Sequence, residues 1–194
     1  MPDSIESVGI GAFNNTAYYY DESNWVNINN QYYYGINPNE LVVLYINTIL
    51  LETKTAKDMG SLLEGDYTIQ KDTTLIADGA FSNCFGLTSI TFLDSLKYIG
   101  VKAFSQCTGL ASVVIPDNVE KLGREEADYV GKIDSSVFAN CSNLESVIIS
   151  KQLNEICNKN FANCVSLKTF KSSEDTEVSD NVIFIPQNIK IIRE

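Results

Sequence analysis

Ile76-Ala-Asp-Gly-Ala-Phe81-Ser-Asn-Cys84-Phe-Gly-Leu87-Thr-Ser89-Ile90-Thr-Phe92 is followed by a second copy of the same phrase, Ile99-Gly-Val-Lys-Ala-Phe104-Ser-Gln-Cys107-Thr-Gly-Leu110-Ala-Ser112-Val113-Val-Ile115. Phe to Phe, Cys to Cys and Leu to Leu are each 23 residues apart. Two further copies are centred on Phe138/Cys141/Leu144 and Phe161/Cys164/Leu167. A fixed period of this length marks a stacked array in which no single unit can bury its own apolar face.

Working outward, the columns of the repeat can be read vertically. Leu87, Leu110, Leu144 and Leu167 form one, Ile90, Val113, Val147 and Phe170 a second, and Phe92, Ile115 and Ile149 a third. In Leu-x-x-Ile-x-Phe the last apolar positions alternate with polar ones, as in a strand with one buried face. A second apolar pair recurs as Leu96/Ile99, Val119/Leu122 and Leu153/Ile156. Each coil should bury a strand, a shorter extended piece and the Phe of a tight turn between them.

The remainder is less regular. Residues 1–75 carry half a repeat, with Val8 and Phe13 in the places of Ile76 and Phe81, and then an Asn- and Tyr-rich excursion from Tyr18 to Asn39. That excursion reads as irregular. Leu41–Tyr45 and Ile49–Leu51 suggest a hairpin, Lys54–Gly65 one or two helical turns, and Tyr67-Thr68-Ile69 a strand re-entering the array. Residues 76–194 hold the main repeats, with insertions near 123–132 and 172–181. Met1-Pro2-Asp3-Ser4-Ile5 and Ile185-Pro186-Gln187-Asn188-Ile189 both resemble mid-repeat phrases such as Ile115-Pro116-Asp117-Asn118-Val119. The expectation is one solenoid domain that is a fragment of a longer protein, with strand edges at its ends suited to end-to-end self-association.

These columns resemble the BspA-type leucine-rich repeat family of microbial surface proteins, whose unit runs Ile-Gly-x-x-Ala-Phe-x-x-Cys-x-x-Leu-x-x-Ile-x-Ile-Pro-x-x-Val-x-x. Residues 76–170 are close to it, 1–13 and 182–194 partly so, and the aromatic excursion is similar to a Tyr-rich insertion of some members. The resemblance implies a right-handed α/β superhelix, mainly β with short helical turns and one parallel sheet along its concave side. It further implies an extracellular or cell-surface binding module without enzyme activity or cofactor.

Composition sets limits on the chemistry. The formal charge of −11, from 14 Lys and Arg against 25 Asp and Glu, disfavours nucleic acid, which needs clustered cations, and an anionic membrane surface. No stretch approaches the roughly 18 to 20 apolar residues of a membrane span. The chain has no histidine, which removes the usual general base and every Ser-His or Cys-His pair. Cys84, Cys107, Cys141 and Cys164 share a column. A stacked row with parallel side chains suits neither a tetrahedral metal site nor a disulfide, and fits buried free thiols. Cys157 lies out of that column and is the more accessible. The acidic runs Glu125/Glu126/Asp128 and Glu174/Asp175/Glu177/Asp180 lack the twelve-residue calcium pattern and read as solvated loops.

Two binding candidates emerge. The polar positions of the strands, Ser89/Thr91, Ser112/Val114, Ser146/Ile148 and Thr169/Lys171, should face outward and build the shallow regular surface that repeat arrays use. Small hydroxyls also simply suit a sheet, whereas Val114 beside Ile148 points to contact. Tyr18, Tyr19, Tyr20, Trp25, Tyr32, Tyr33 and Tyr34 could form an aromatic recognition loop for protein or sugar, or fold back as a cap. The expected function is a protein- or glycan-binding module with a host extracellular partner, the alternative a structural spacer that presents another domain.

Overall fold

The computed structural model describes residues 64–123, 136–149, 151–153, 155–156 and 159–172, together with strands at 25–27, 41–46, 49–55, 177–178 and 190–193. The first full coil shows how sequence becomes rung. β6 (Leu87–Thr91) buries Leu87 and Ile90 and turns Thr88 and Thr91 to solvent. The same alternation recurs in β8 (Ser112–Val114), β10 (Ser146–Ile148) and β12 (Thr169–Ser172). Before β6 comes β4 (Gly65–Thr68), in which Tyr67 takes the place of Ile90; at the far end β14 (Lys190–Arg193) continues the series.

These rungs are parallel and in register. β4 pairs with β6, and β8, β10, β12 and β14 follow one another in a four-stranded sheet, with β6 lying beside β8. Ser112, Ser146, Thr169 and Lys190 are mutual partners, as are Val114, Ile148, Lys171 and Ile192. The shorter extended pieces make a second parallel series rather than loose connections. β5 (Leu75–Ile76), β7 (Tyr98–Ile99) and β9 (Lys121–Leu122) pair in turn, and β11 (Glu155–Ile156) pairs with β13 (Glu177–Val178). The single sheet expected on one side is therefore joined by a second parallel series.

The hairpin stands, as β2 (Leu41–Ile46) antiparallel to β3 (Ile49–Thr55), and β3 joins the array by pairing in parallel with β5. The excursion departs from the irregular reading, because β1 (Trp25–Asn27) adds to β2 as a third, antiparallel strand. The helical turns expected over Lys54–Gly65 are displaced at both ends: Lys54 and Thr55 finish β3 and Gly65 opens β4.

No helix occurs among the described residues. The turns at each Phe are tight instead, and the backbone shows why. Asn83, Gln106, Asn140 and Asn163, each two residues after the Phe, have φ of 61 to 65°, a left-handed conformation that interrupts a right-handed helix and that Asn tolerates better than most residues. The amides of these turns bond to the next coil: Phe81 N–H donates to Ala103 O at 2.7 Å and Asn83 N–H to Ser105 O at 2.8 Å. Bonds that a helix would spend on itself instead hold successive coils together.

Apolar columns fill the interior. Phe81, Phe104, Phe138 and Phe161 are buried and stack with centroid distances of 4.8, 5.1 and 5.4 Å and interplanar angles of 8° or less. Tyr67 leans on one end of the row, and Phe170 meets the other edge-on. Phe104 stacks directly on Phe138, so the coils on either side of the insertion are consecutive; residues 124–135 themselves lie outside the described residues. Close coil approach also explains Gly100, where a Cβ would sit 2.5 Å from the backbone nitrogen of Asp78.

Candidate binding face

The parallel rungs present two outward columns. The first runs Asp66, Ser89, Ser112, Ser146 and Thr169, and the second Thr68, Thr91, Val114, Ile148, Lys171 and Ile192. Thr91 and Ser112 are exposed, whereas Ser89, Ser146, Thr169 and Lys171 are half-buried. Val114 is 55% exposed and Ile148, its register partner, 38%. Two neighbouring rungs thus show aliphatic side chains where soluble sheets place polar ones, and half-buried Ile192 continues the column two rungs on. The sequence alone did not place Ile192, because the repeat lapses before it and only the strand pairing supplies its column.

Polar contacts tie the ends of this face. The hydroxyl of Ser89 donates to Asp66 Oδ1 at 2.7 Å and that of Thr88 at 2.9 Å. These two bonds, Ser89 first, favour the ionised form and hold the Asp66 carboxyl below its ordinary value. At the other end Lys168 Nζ donates to Glu145 Oε1 at 2.7 Å. Both partners are largely solvated, so the pair orients side chains more than it stabilises.

Of the aromatic segment, the described part is the Trp25 backbone in β1. Tyr18, Tyr19, Tyr20, Tyr32, Tyr33 and Tyr34 lie outside the described residues, as do Cys157, Glu125, Glu126, Asp128, Glu174, Asp175 and Asp180; Glu177, read from the sequence as part of a solvated loop, instead belongs to β13, because Glu155 and Ile156 bring it a parallel partner.

The four columnar cysteines are buried free thiols. Each of the last three donates to the Phe carbonyl of the preceding coil: Cys107 Sγ to Phe81 O at 3.1 Å, Cys141 Sγ to Phe104 O and Cys164 Sγ to Phe138 O at 3.2 Å. Burial, then the neighbouring Cys84, push the Cys107 thiol well above its ordinary value. For Cys141 the Cys164 thiol acts first and burial second, in the same direction. A thiol kept protonated is neither nucleophile nor metal ligand. Among the described residues no group of three or more Cys, Asp or Glu is arranged to hold a metal ion. Nor is any helix among them long and apolar enough to cross a membrane.

One buried polar residue interrupts an apolar column. Asn160 stands in the column of Ala80, Ala103 and Val137 and is fully buried. Its Oδ1 accepts from Val137 N–H at 3.4 Å, and its Nδ2 donates to Leu122 O at 3.3 Å. From the coil of Phe161 the amide thereby bridges the two flanks of the insertion, Leu122 before it and Val137 after it.

Residues 63–190 match the family model of the BspA type leucine-rich repeat region, in six copies. This chain belongs to the BspA-type leucine-rich repeat family. Among solved structures, a leucine-rich repeat protein from Bacteroides ovatus ATCC 8483 is 23% identical with a TM-score of 0.53, over 76% of this chain and 40% of its own. The T. pallidum leucine-rich repeat protein is 21% identical with a TM-score of 0.47, over 65% of this chain and 59% of its own. A leucine-rich cell surface protein from Faecalibacterium prausnitzii A2-165 is 20% identical with a TM-score of 0.30, over 67% and 50%. This BspA-type array therefore spans less than two thirds of each of those chains; the first of them shares its fold. No curated protein matches it in sequence.

Proposed function

We propose that this chain is a non-catalytic recognition module of a microbial surface or secreted protein, which takes hold of a protein ligand through the outward columns of its rungs. The observation that carries this reading is the aliphatic patch of Val114 and Ile148, exposed side by side on a rigid parallel sheet and bordered by hydroxyls. Contiguous apolar exposure with a polar rim is the usual composition of a protein contact surface. Ser89, Thr91, Ser112, Ser146, Thr169 and Lys171 would supply that rim. Tyr18 to Tyr34, with Trp25, would add a second contact, suited to protein or to sugar rings. The absence of histidine from the chain and the shallow shape of a solenoid face favour binding over catalysis.

The test is capture of the purified chain on an array of extracellular-matrix proteins and glycans, alongside folded V114S/I148S and W25S/Y33S variants. Loss of a protein signal with V114S/I148S alone supports the rung face. A glycan signal lost only with W25S/Y33S would move recognition to the aromatic segment. Failure of the intact chain to bind any member at tens of micromolar would favour a spacer that presents another domain.

A further inference from the structure

We propose that the column of buried thiols is a disulfide-sensitive latch: where a junction between coils parts, Cys107 or Cys164 exchanges with a small disulfide and keeps that junction open.

Each of the last three thiols marks one junction. Cys107 Sγ donates to Phe81 O, Cys141 Sγ to Phe104 O and Cys164 Sγ to Phe138 O, in each case across to the preceding coil. All three are fully buried, so none can meet a reagent until its junction parts. The junctions are not equally held. Between the coils of Phe104 and Phe138 both strand series are bonded, β8 to β10 on the rung face and β7 to β9 in the second series. Between those of Phe81 and Phe104 only β5 and β7 pair, since β6 and β8 belong to different sheets. Between those of Phe138 and Phe161 only β10 and β12 pair, since the six-stranded sheet ends at β9 and β11 goes with β13. There the Asn160 amide stands in for the missing strand pair, through two long bonds of 3.3 and 3.4 Å. Rings stack and turn amides bond at all three junctions, so the strands make the difference. Local opening concentrates where fewest bonds must break, which selects the junctions of Cys107 and Cys164 over that of Cys141.

Closed, each S–H is spent on a carbonyl and out of reach. A cysteine thiol in water has a pKa of about 8.5 and supplies thiolate near neutral pH. That sulfur attacks one sulfur of the small disulfide, whose S–S bond breaks. A mixed disulfide forms on the cysteine, the other half departs as thiolate, and the cysteine's proton passes to solvent. The cysteine is oxidised and the departing half is reduced, so no further oxidant enters. Close-packed interiors leave few voids, and a position with no exposed surface has no room for the added group. The junction therefore stays parted until a reductant removes the adduct.

The test incubates the intact chain with oxidised glutathione at about pH 8 and follows each cysteine by peptide mass spectrometry. The chain unfolded in urea should take adducts at Cys107, Cys141 and Cys164 at similar rates, which sets the reference for local sequence. Relative to it, the folded chain should react at Cys107 and Cys164 at least about tenfold faster than at Cys141, where one more bonded strand pair must break. Asn160→Leu should speed Cys164 about tenfold and leave Cys107 as it was. The adducts should lower the β signal in circular dichroism, and dithiothreitol should restore it. Cys107 or Cys164 reacting no faster than Cys141 overturns the inference, as does a folded chain that takes no adduct while the unfolded one does. An Asn160→Leu variant in which Cys107 and Cys164 speed up alike would show that the junctions do not part separately, and also overturns it. So does an adduct that leaves the spectrum unchanged, because the coils would then have closed over it.

Discussion

Phe104→Ala is the perturbation that the array should feel most. The ring is fully buried, stacks on Phe81 at 4.8 Å and on Phe138 at 5.1 Å, and meets the edge of Phe92 at 5.6 Å. Removing a buried Phe side chain costs about 3 to 5 kcal/mol through lost transfer energy and residual cavity. Each ring pair adds about 0.5 to 1.5 kcal/mol beyond area, and Phe104 makes three such contacts. The expected loss is therefore at the upper end, about 5 kcal/mol, comparable with the whole stability of many domains. Leu110→Ala, also fully buried but outside the row of rings, is the control, with an expected loss of about 3 kcal/mol. Urea denaturation followed by far-ultraviolet circular dichroism measures both. The Phe104 variant should also show a lower m-value or a split transition, since stability in a repeat array resides in nearest-neighbour interfaces. A Phe104→Ala loss equal to or smaller than that of Leu110→Ala would refute the idea that stacked rings couple the coils.

Gly100→Ala should destabilise by about 3 kcal/mol or more, because the new methyl would meet backbone atoms of Asp78 at 2.5 Å and Ala77 at 2.6 Å, which cannot swing aside as a side chain could; a melt matching the wild type would show that the coils can separate there. Asn160→Leu should cost about 1 to 3 kcal/mol by leaving Val137 N–H and Leu122 O without the amide that bridges them, measured by the same titration. The thiols predict alkaline sensitivity. Cys107 and Cys141 have folded pKa values raised above the unfolded value near 8.5 to 9, so stability is fully present below that value and falls above it as the unfolded chain releases protons first. The slope should reach about 1.4 kcal/mol per pH unit per thiol. A Cys107→Ala/Cys141→Ala variant should lose that part of the pH dependence, and an unchanged alkaline profile would contradict the assignment.

Period and alternation made the coils legible before any coordinates. The Phe, Cys, Leu and Ile columns of residues 76–170 are all buried, with outward positions between them in the strands as a parallel sheet requires, and the sheet supplies the matching register. What escaped was whatever depends on the backbone of the turns or on pairing across a gap. Asn83 and Gln106 look like ordinary polar residues in a loop, yet their left-handed conformation is what turns amides toward the neighbouring coil. The pieces at Leu75, Tyr98 and Lys121 are two residues long, too short for a strand signal of their own, and become strands only because the next coil brings them a partner. For the candidate face, alternation in the sequence separated outward from inward positions, so Val114 and Ile148 stood out as aliphatic residues on the outward side. Ile192 did not, since nothing local ties it to its register partner Lys171, 21 positions earlier.

The direction of the inter-coil hydrogen bonds has a mechanical consequence. Bonds such as Gly100 N–H to Ile76 O and Ile115 N–H to Ile148 O join one coil to the next, and therefore run along the stacking axis. Force applied along that axis opens them one coil at a time, as a zipper parts, instead of loading many together in shear. A tethered array should yield at low force in steps, each releasing a coil of 23 residues and lengthening the chain by about 75 Å at full extension. Such a molecule would act as an extensible link as well as a surface, giving way by whole coils under tension and rewinding when the load is removed.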